Sequence, residues 1–186
     1  MSLGVKGDFS KEPHSQSFPL RKPIDVAGER FGRITLTNHS FDRTFAPAGR
    51  SVLSVMIPAK FETWEKLGVD KKRYLAEKKK IAEAVSGALA ERYPGISSKV
   101  EAVDVATLLT FARYTGNWKG SYEGWLLNRK TMLKRLPLTL PGLAGFYMAG
   151  QWVSPGGGLP GAAIPARLTI RRICRDEKVR FTATKE

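Results

Sequence analysis

This sequence predicts an α+β fold, and three observations predict it. Two short segments alternate apolar and polar positions with β-branched side chains, as strands do. One long segment repeats its apolar residues at spacings of three and four, as a helix does. Near the C-terminus an apolar run passes through a glycine-rich turn into a second helical stretch. The expected arrangement is a β-sheet layer with covering helices, followed by a strand, a glycine-rich turn and a helix as a C-terminal appendage.

The elements follow in chain order. Residues 1–30 are rich in Lys, Ser, Pro and Gly, show no periodicity and are expected to form a flexible N-terminal segment. Arg33-Ile34-Thr35-Leu36-Thr37-Asn38 reads as a strand, and Ser51-Val52-Leu53-Ser54-Val55-Met56-Ile57 as another, ended by Pro58. Between them lie turn residues, in which Asp42 is expected to bond backbone rather than catalyse. Over 70–93 the positions Leu75, Ile81, Ala82, Val85, Ala88 and Leu89 mark an amphipathic helix, stopped by Pro94-Gly95, with its lysines on the solvated face. Residues 100–110 (VEAVDVATLLT) read as a third strand. The stretch after it sets Tyr114, Trp118, Tyr122 and Trp125 among glycines, too irregular for a helix face and too glycine-rich for a core strand. Residues 136–143 form a constrained Leu-Pro loop. Residues 146–152 (FYMAGQW) are expected to be a buried strand, Gly156-Gly157-Gly158 a turn, and residues from Pro160 to Cys174 a helix, with Pro165 as a kink.

Composition narrows the function. The chain of 186 residues is 42% hydrophobic, enough for a core. It has no apolar run of membrane-spanning length and no signal-like N-terminus, so a cytoplasmic, soluble protein is expected. The lone Cys174 makes neither an internal disulfide nor a thiolate cage, and no His or acid pair has metal-ligand spacing. His14 and His39 lie in turn-like segments and read as structural or solvated. With 31 basic and 17 acidic residues the net charge is +14, which makes polyanions plausible partners. The basic residues are dispersed, so a basic nucleic-acid-binding module is the alternative reading and nucleic acid is not the expected partner.

The glycine turn carries the chemistry. Gly156-x-Gly158-x-x-Gly161 satisfies the dinucleotide pattern GxGxxG formally, but only residues 178–184 follow the helix, so the second βα repeat such a fold needs is missing. Residues 146–162, FYMAGQWVSPGGGLPGA, resemble instead the C-terminal FAD-binding segment of the phytoene desaturase, carotenoid isomerase and retinol saturase group of flavoproteins. Ser40-Phe41-Asp42 with Ala46-Pro47-Ala48-Gly49, Tyr93-Pro94-Gly95, and residues 109–125 resemble that group's substrate-domain stretches in the same order.

The resemblance implies that residues 31–128 are a substrate-domain portion and 129–186 a C-terminal segment of an FAD-binding domain. It implies FAD as cofactor, held here by Gly150, Gln151, Gly157, Gly158, Leu159 and Pro160. Backbone N–H groups of Gly157, Gly158 and Leu159 would face negative charge on the isoalloxazine. Tyr114, Trp118, Tyr122 and Trp125 would lie near a carotenoid-like or other lipid-like substrate, desaturated, saturated or isomerised through flavin N5. No catalytic side chain is nominated. Gln151-Trp152 and Pro165 depart from the group's smaller residues at those places. Members of the group begin with a βαβ unit that these residues do not contain, so the resemblance implies a missing N-terminal FAD-binding portion. This chain alone is expected to be inactive, to bind FAD weakly or not at all, and to self-associate; peripheral membrane contact is also implied.

Overall fold

A computed structural model describes residues 1–132 and 136–183. The chain divides into two compact units, Met1–Gly120 and Ser121–Glu186. That division falls before the boundary expected at 128.

The first unit is built on a five-stranded antiparallel sheet. Its strands are β1 (Ser2–Lys6), β2 (Ser15–Val26), β3 (Glu29–Asn38), β4 (Arg50–Met56) and β5 (Val100–Asp104), in the spatial order β2-β3-β4-β1-β5. Alternation along each strand sends one set of side chains to a single face. That face carries Leu3 and Val5, Ile24 and Val26, Ile34 and Leu36, Leu53 and Val55, all buried. Two helices cover it. α1 (Phe61–Gly68) contributes Trp64, and α2 (Lys71–Arg92) contributes Ile81, Val85 and Leu89, one turn apart each time. Asp70 starts α2 by accepting hydrogen bonds from the N–H groups of Lys72 and Arg73, and the helix ends ahead of Gly95, whose φ of 82° suits only a glycine comfortably. A short helix α3 (Leu108–Thr115) closes the unit.

Two expectations for this unit are corrected. Residues 1–30 are not a loose segment: they supply β1, which is bonded on one side to β4 and on the other to β5, and the whole of β2, the outer strand of the β2–β3 pair. β1 is only five residues long and its partners lie at 50–54 and 100–104, so it leaves no local period to read. β2 contains Pro19 and Pro23, which an edge strand tolerates because half its backbone groups need no ladder partner. The strand expected over 100–110 stops at Asp104. There the buried Thr107 caps α3, its side chain accepting from Thr110 N–H while Thr110 bonds back to Thr107 N–H.

Among its described residues the second unit has one helix, α4 (Gly158–Asp176), which runs through Pro165. Residues 146–152 do not form the expected buried strand. Tyr147 makes an isolated antiparallel bridge to Thr139, Met148 N–H donates to Leu138 O at 2.8 Å, and Phe146 is 43% exposed. A strand needs a ladder on at least one side, and this segment finds a single bridge. α4 lies against it instead. Thr169 Oγ1 donates to Met148 O at 2.7 Å, and Tyr147 OH donates to Asp176 Oδ2 at 2.9 Å.

Candidate functional site

The glycine turn of the second unit lies between two short segments that meet face to face. Gly156 N–H donates to Trp125 O at 3.0 Å, and Trp125 Nε1–H donates to Trp152 O at 2.7 Å. The two indoles pack edge to face, 5.5 Å between centroids. Ser121 Oγ donates to Glu123 O and tightens the same turn. Residues 121–125 therefore form one wall and residues 150–157 the other.

Glycines are needed where these walls touch. A Cβ at Gly124 would overlap the Gln151 carbonyl, and a Cβ at Gly157 would overlap the Glu123 carboxylate. Gly158 has φ 74°, a conformation that favours glycine, just where the chain enters α4. Gly157 precedes that helix with no side-chain cap. Gly157 thus offers the first-turn N–H groups no side-chain acceptor, and Pro160 has no N–H to satisfy. An uncapped helix start with small residues is a place where an electronegative group is favoured.

Of the residues proposed from sequence to hold a cofactor, Gly150, Gln151, Gly157, Gly158, Leu159 and Pro160 all lie on or beside this turn. They are not equivalent. The space next to the Gly150 Cα is open to at least 4 Å, and Gly158 meets only the Pro160 ring at ordinary contact distance. The Gly157 face is taken by Glu123. Leu159 is 87% exposed. Glu123 is thus a member of the site that sequence reasoning missed; its one signal was an acid between Tyr122 and Gly124 in a strongly basic region.

The four aromatic residues proposed to contact substrate divide between the two units. Tyr114 and Trp118 belong to the first unit, and Tyr122 and Trp125 to the second. Tyr114 lies under the Arg113 guanidinium at 4.8 Å and Trp118 under the Lys119 ammonium at 5.1 Å, both rings exposed. Of the four, Trp125 is the one whose ring packs on another aromatic ring among the described residues. Asp42 accepts from Thr44 N–H and Thr44 Oγ1, as a turn residue does. His14 and His39 pack on Phe41 and Phe45 in the first unit.

Electrostatics near α4 favour its folded end rather than its start. Arg172 donates to both Asp176 oxygens and, with the Tyr147 hydroxyl, holds that carboxyl below its usual range. Tyr147 is pushed up in turn by its hydrogen bond to Asp176.

No protein-family model matches this chain. Over 177 residues it is 28% identical to the chloroplastic prolycopene isomerase of Arabidopsis thaliana. The match covers 94% of this chain and 29% of that protein, so the chain spans under a third of its relative's length. No helix among the described residues is long and apolar enough to cross a membrane. The chain is a distant, partial relative of a carotenoid isomerase.

Proposed function

We propose that this chain is part of a flavin-dependent oxidoreductase acting on a carotenoid-like or other lipid-like substrate. What carries the reading is the likeness to prolycopene isomerase, which runs through nearly the whole chain and includes both units. On this reading residues 31–128 are a substrate-domain portion and residues 129–186 the end of an FAD-binding domain.

The residues around the turn fit part of a flavin. Gly150 and Gly158 leave room for a flat polar ring to approach the backbone, and the uncapped start of α4 offers N–H donors at Gly158 and Leu159. Bound there, the flavin would supply two-electron chemistry that no side chain of this chain can. The chain's own contribution is positional. The α4 N-terminus orients dipoles toward an electron-rich ring edge, and Trp125 braces the turn by donating to Trp152 O and accepting from Gly156 N–H. Glu123 occupies the Gly157 face, which leaves the Gly150 and Gly158 sides open. Exposed Tyr122 and Trp125 supply apolar area for a polyene.

The test is spectroscopic. Purified as given, this chain should be colourless and titrate with FAD only weakly, because most contacts to the dinucleotide would come from sequence outside it. Each tenfold of lost affinity is about 1.4 kcal/mol. A protein joining this chain to a dinucleotide-binding portion should be yellow with one FAD bound, and should shift the absorption bands of prolycopene. A joined protein that folds and takes up no flavin at any concentration defeats the reading.

A further inference from the structure

The last turns of α2 are rich in small residues. Ala82, Ala84, Ser86, Gly87, Ala88 and Ala90 are interspersed with Glu83, Val85 and Leu89 before the chain reverses at Gly95 into the 3-10 turn Ile96–Lys99, and of these small residues Ser86 lines a hollow. Short side chains at a reversal leave space that longer ones would fill. Two hollows lie there and share Ile96 as a wall. The first, about 290 Å³, is lined by Leu3, Leu89, Ile96 and Val100, with Ser86 and Ser97 beside them. The second, about 350 Å³, is lined by Arg92, Lys99, Tyr93 and Glu12, with Phe9. An apolar compartment thus adjoins a charged one, each near the lower end of the range for small-molecule sites, about 300–1,000 Å³.

The charges choose the head group. Two cations face one carboxylate in the second hollow, which leaves a net +1. Arg92 holds its guanidinium 5.5 Å over the Tyr93 ring and donates to Gln16 Oε1 at 3.4 Å, so it is positioned without being neutralised. Glu12 accepts from the same Gln16 side chain at 3.4 Å. A planar carboxylate matches the paired N–H donors of the guanidinium with the ammonium beside it. The apolar hollow next to it then takes a hydrocarbon chain, whose burial is favourable in proportion to area.

We infer that this end of α2 binds an apolar-tailed monocarboxylate, with its chain against Leu89, Ile96 and Val100 and its carboxylate on Arg92 and Lys99. The site belongs wholly to the sheet unit and does not depend on the flavin reading.

Calorimetric titration of the full chain with decanoate, kept below its micellar concentration, tests this. Saturable binding at one per chain is expected. The double variant Arg92→Gln with Lys99→Glu should weaken decanoate at least tenfold while leaving decanol, with the same chain and no charge, unchanged. Ser97→Trp, at an exposed position, should fill the apolar hollow and remove binding of both. Ser86→Leu should do the same from the helix side, and circular dichroism melts verify that each variant folds. The inference is overturned by no saturable heat, by decanoate bound equally well by the charge variant, or by undiminished binding in both filled variants. Tighter binding of decyl phosphate than of decanoate overturns the head-group assignment. Binding only to phosphatidylglycerol vesicles, indifferent to Ser97→Trp, would assign these cations to a lipid surface and also overturn it.

Discussion

The two units bury their apolar residues very differently. In Met1–Gly120 the buried hydrophobic core runs from Leu3 to Val105 and joins one face of the sheet to the helices that cover it. In Ser121–Glu186 the buried residues among those described are Pro165 and Thr169, while Leu126, Leu127, Met132, Leu143, Phe146, Leu159, Ile164, Leu168 and Ile170 are exposed. The first unit has what a domain needs to hold itself together, since buried apolar area is the main favourable contribution to folding. The second is held by hydrogen bonds among turns and by one helix, whose apolar face has little to pack on. Exposed apolar surface on that scale is open to association. The difference agrees with a chain that spans under a third of its relative.

Hydrogen exchange on the full chain should break or sharpen this comparison most strongly. Amides of β1 and β4, central in the sheet, should exchange only by global opening, and those of residues 121–157 by local opening, several powers of ten faster. Equal protection in both would mean that the second unit has stability its packing does not account for. Truncation of core residues gives the next largest contrast. Leu53 is fully buried between two strands and their helices, so Leu53→Ala should cost about 2–5 kcal/mol in denaturant unfolding. Leu168→Ala, on the exposed side of α4, should stay within about 0.5 kcal/mol. A comparable cost at both positions would contradict the assignment of the core to one unit.

The same contrast explains what could be read from sequence. α2 was legible because its signals are local: apolar residues from Leu75 to Leu89 at spacings of three and four, and Pro94-Gly95 as stop. β3 and β4 were legible because each alternates clearly and a turn separates them. β1 was not, because Leu3 and Val5 are apolar only in relation to partners some fifty and a hundred residues away. α3 was hidden by reading Val100 to Val105 as a longer run, when Thr107 with Thr110 is a capping pair. At the candidate site the glycine turn and α4 stood out, since three consecutive glycines cost order that a chain tolerates at a tight turn or a close backbone approach. Glu123 did not, and Trp152 stood out only as a departure from smaller residues, because what matters about them is which segment they face, and sequence order does not state that.

Glycine replacement is a finer probe of the two regions. Gly120 has φ 64°, and an added Cβ would overlap the backbone of Leu108, which cannot turn aside. Gly120→Ala should therefore cost about 1–3 kcal/mol, the strain of the left-handed conformation plus the clash. Gly157 is in extended backbone, and its obstacle is the end of the flexible Glu123 side chain. Gly157→Ala should cost no more than about 0.5 kcal/mol, because Glu123 can rotate away. Urea unfolding of both variants reads the difference. A large cost at Gly157 would show that Glu123 is fixed there, and would promote it from a neighbour of the turn to part of its support.

The smallest effect expected is a pH dependence confined to the first unit. His39 sits half-buried, its Nε2 within 3.1 Å of Ser54 Oγ and its ring stacked on Phe45 at 5.0 Å. Burial lowers its pKa below 6.5, and His14 nearby adds repulsion in the same direction. In the unfolded chain His39 titrates near 6.5, so below that value the unfolded state binds a proton that the folded state resists. His39 therefore contributes full stability above pH 6.5 and loses it as the pH falls toward its lowered folded value. The melting temperature should drop between pH 7.5 and 5.5 by less than the roughly 2–4 °C that 1 kcal/mol brings in a chain of this size. His39→Gln keeps a polar group for Ser54, removes the titration and should flatten that slope. The Met1 amino group is also buried and lowered, with its window below 8.0, but it is common to both proteins and cancels in the difference. A slope unchanged by His39→Gln would place the pH response elsewhere, and a steeper loss toward high pH would reverse the sign argued from burial.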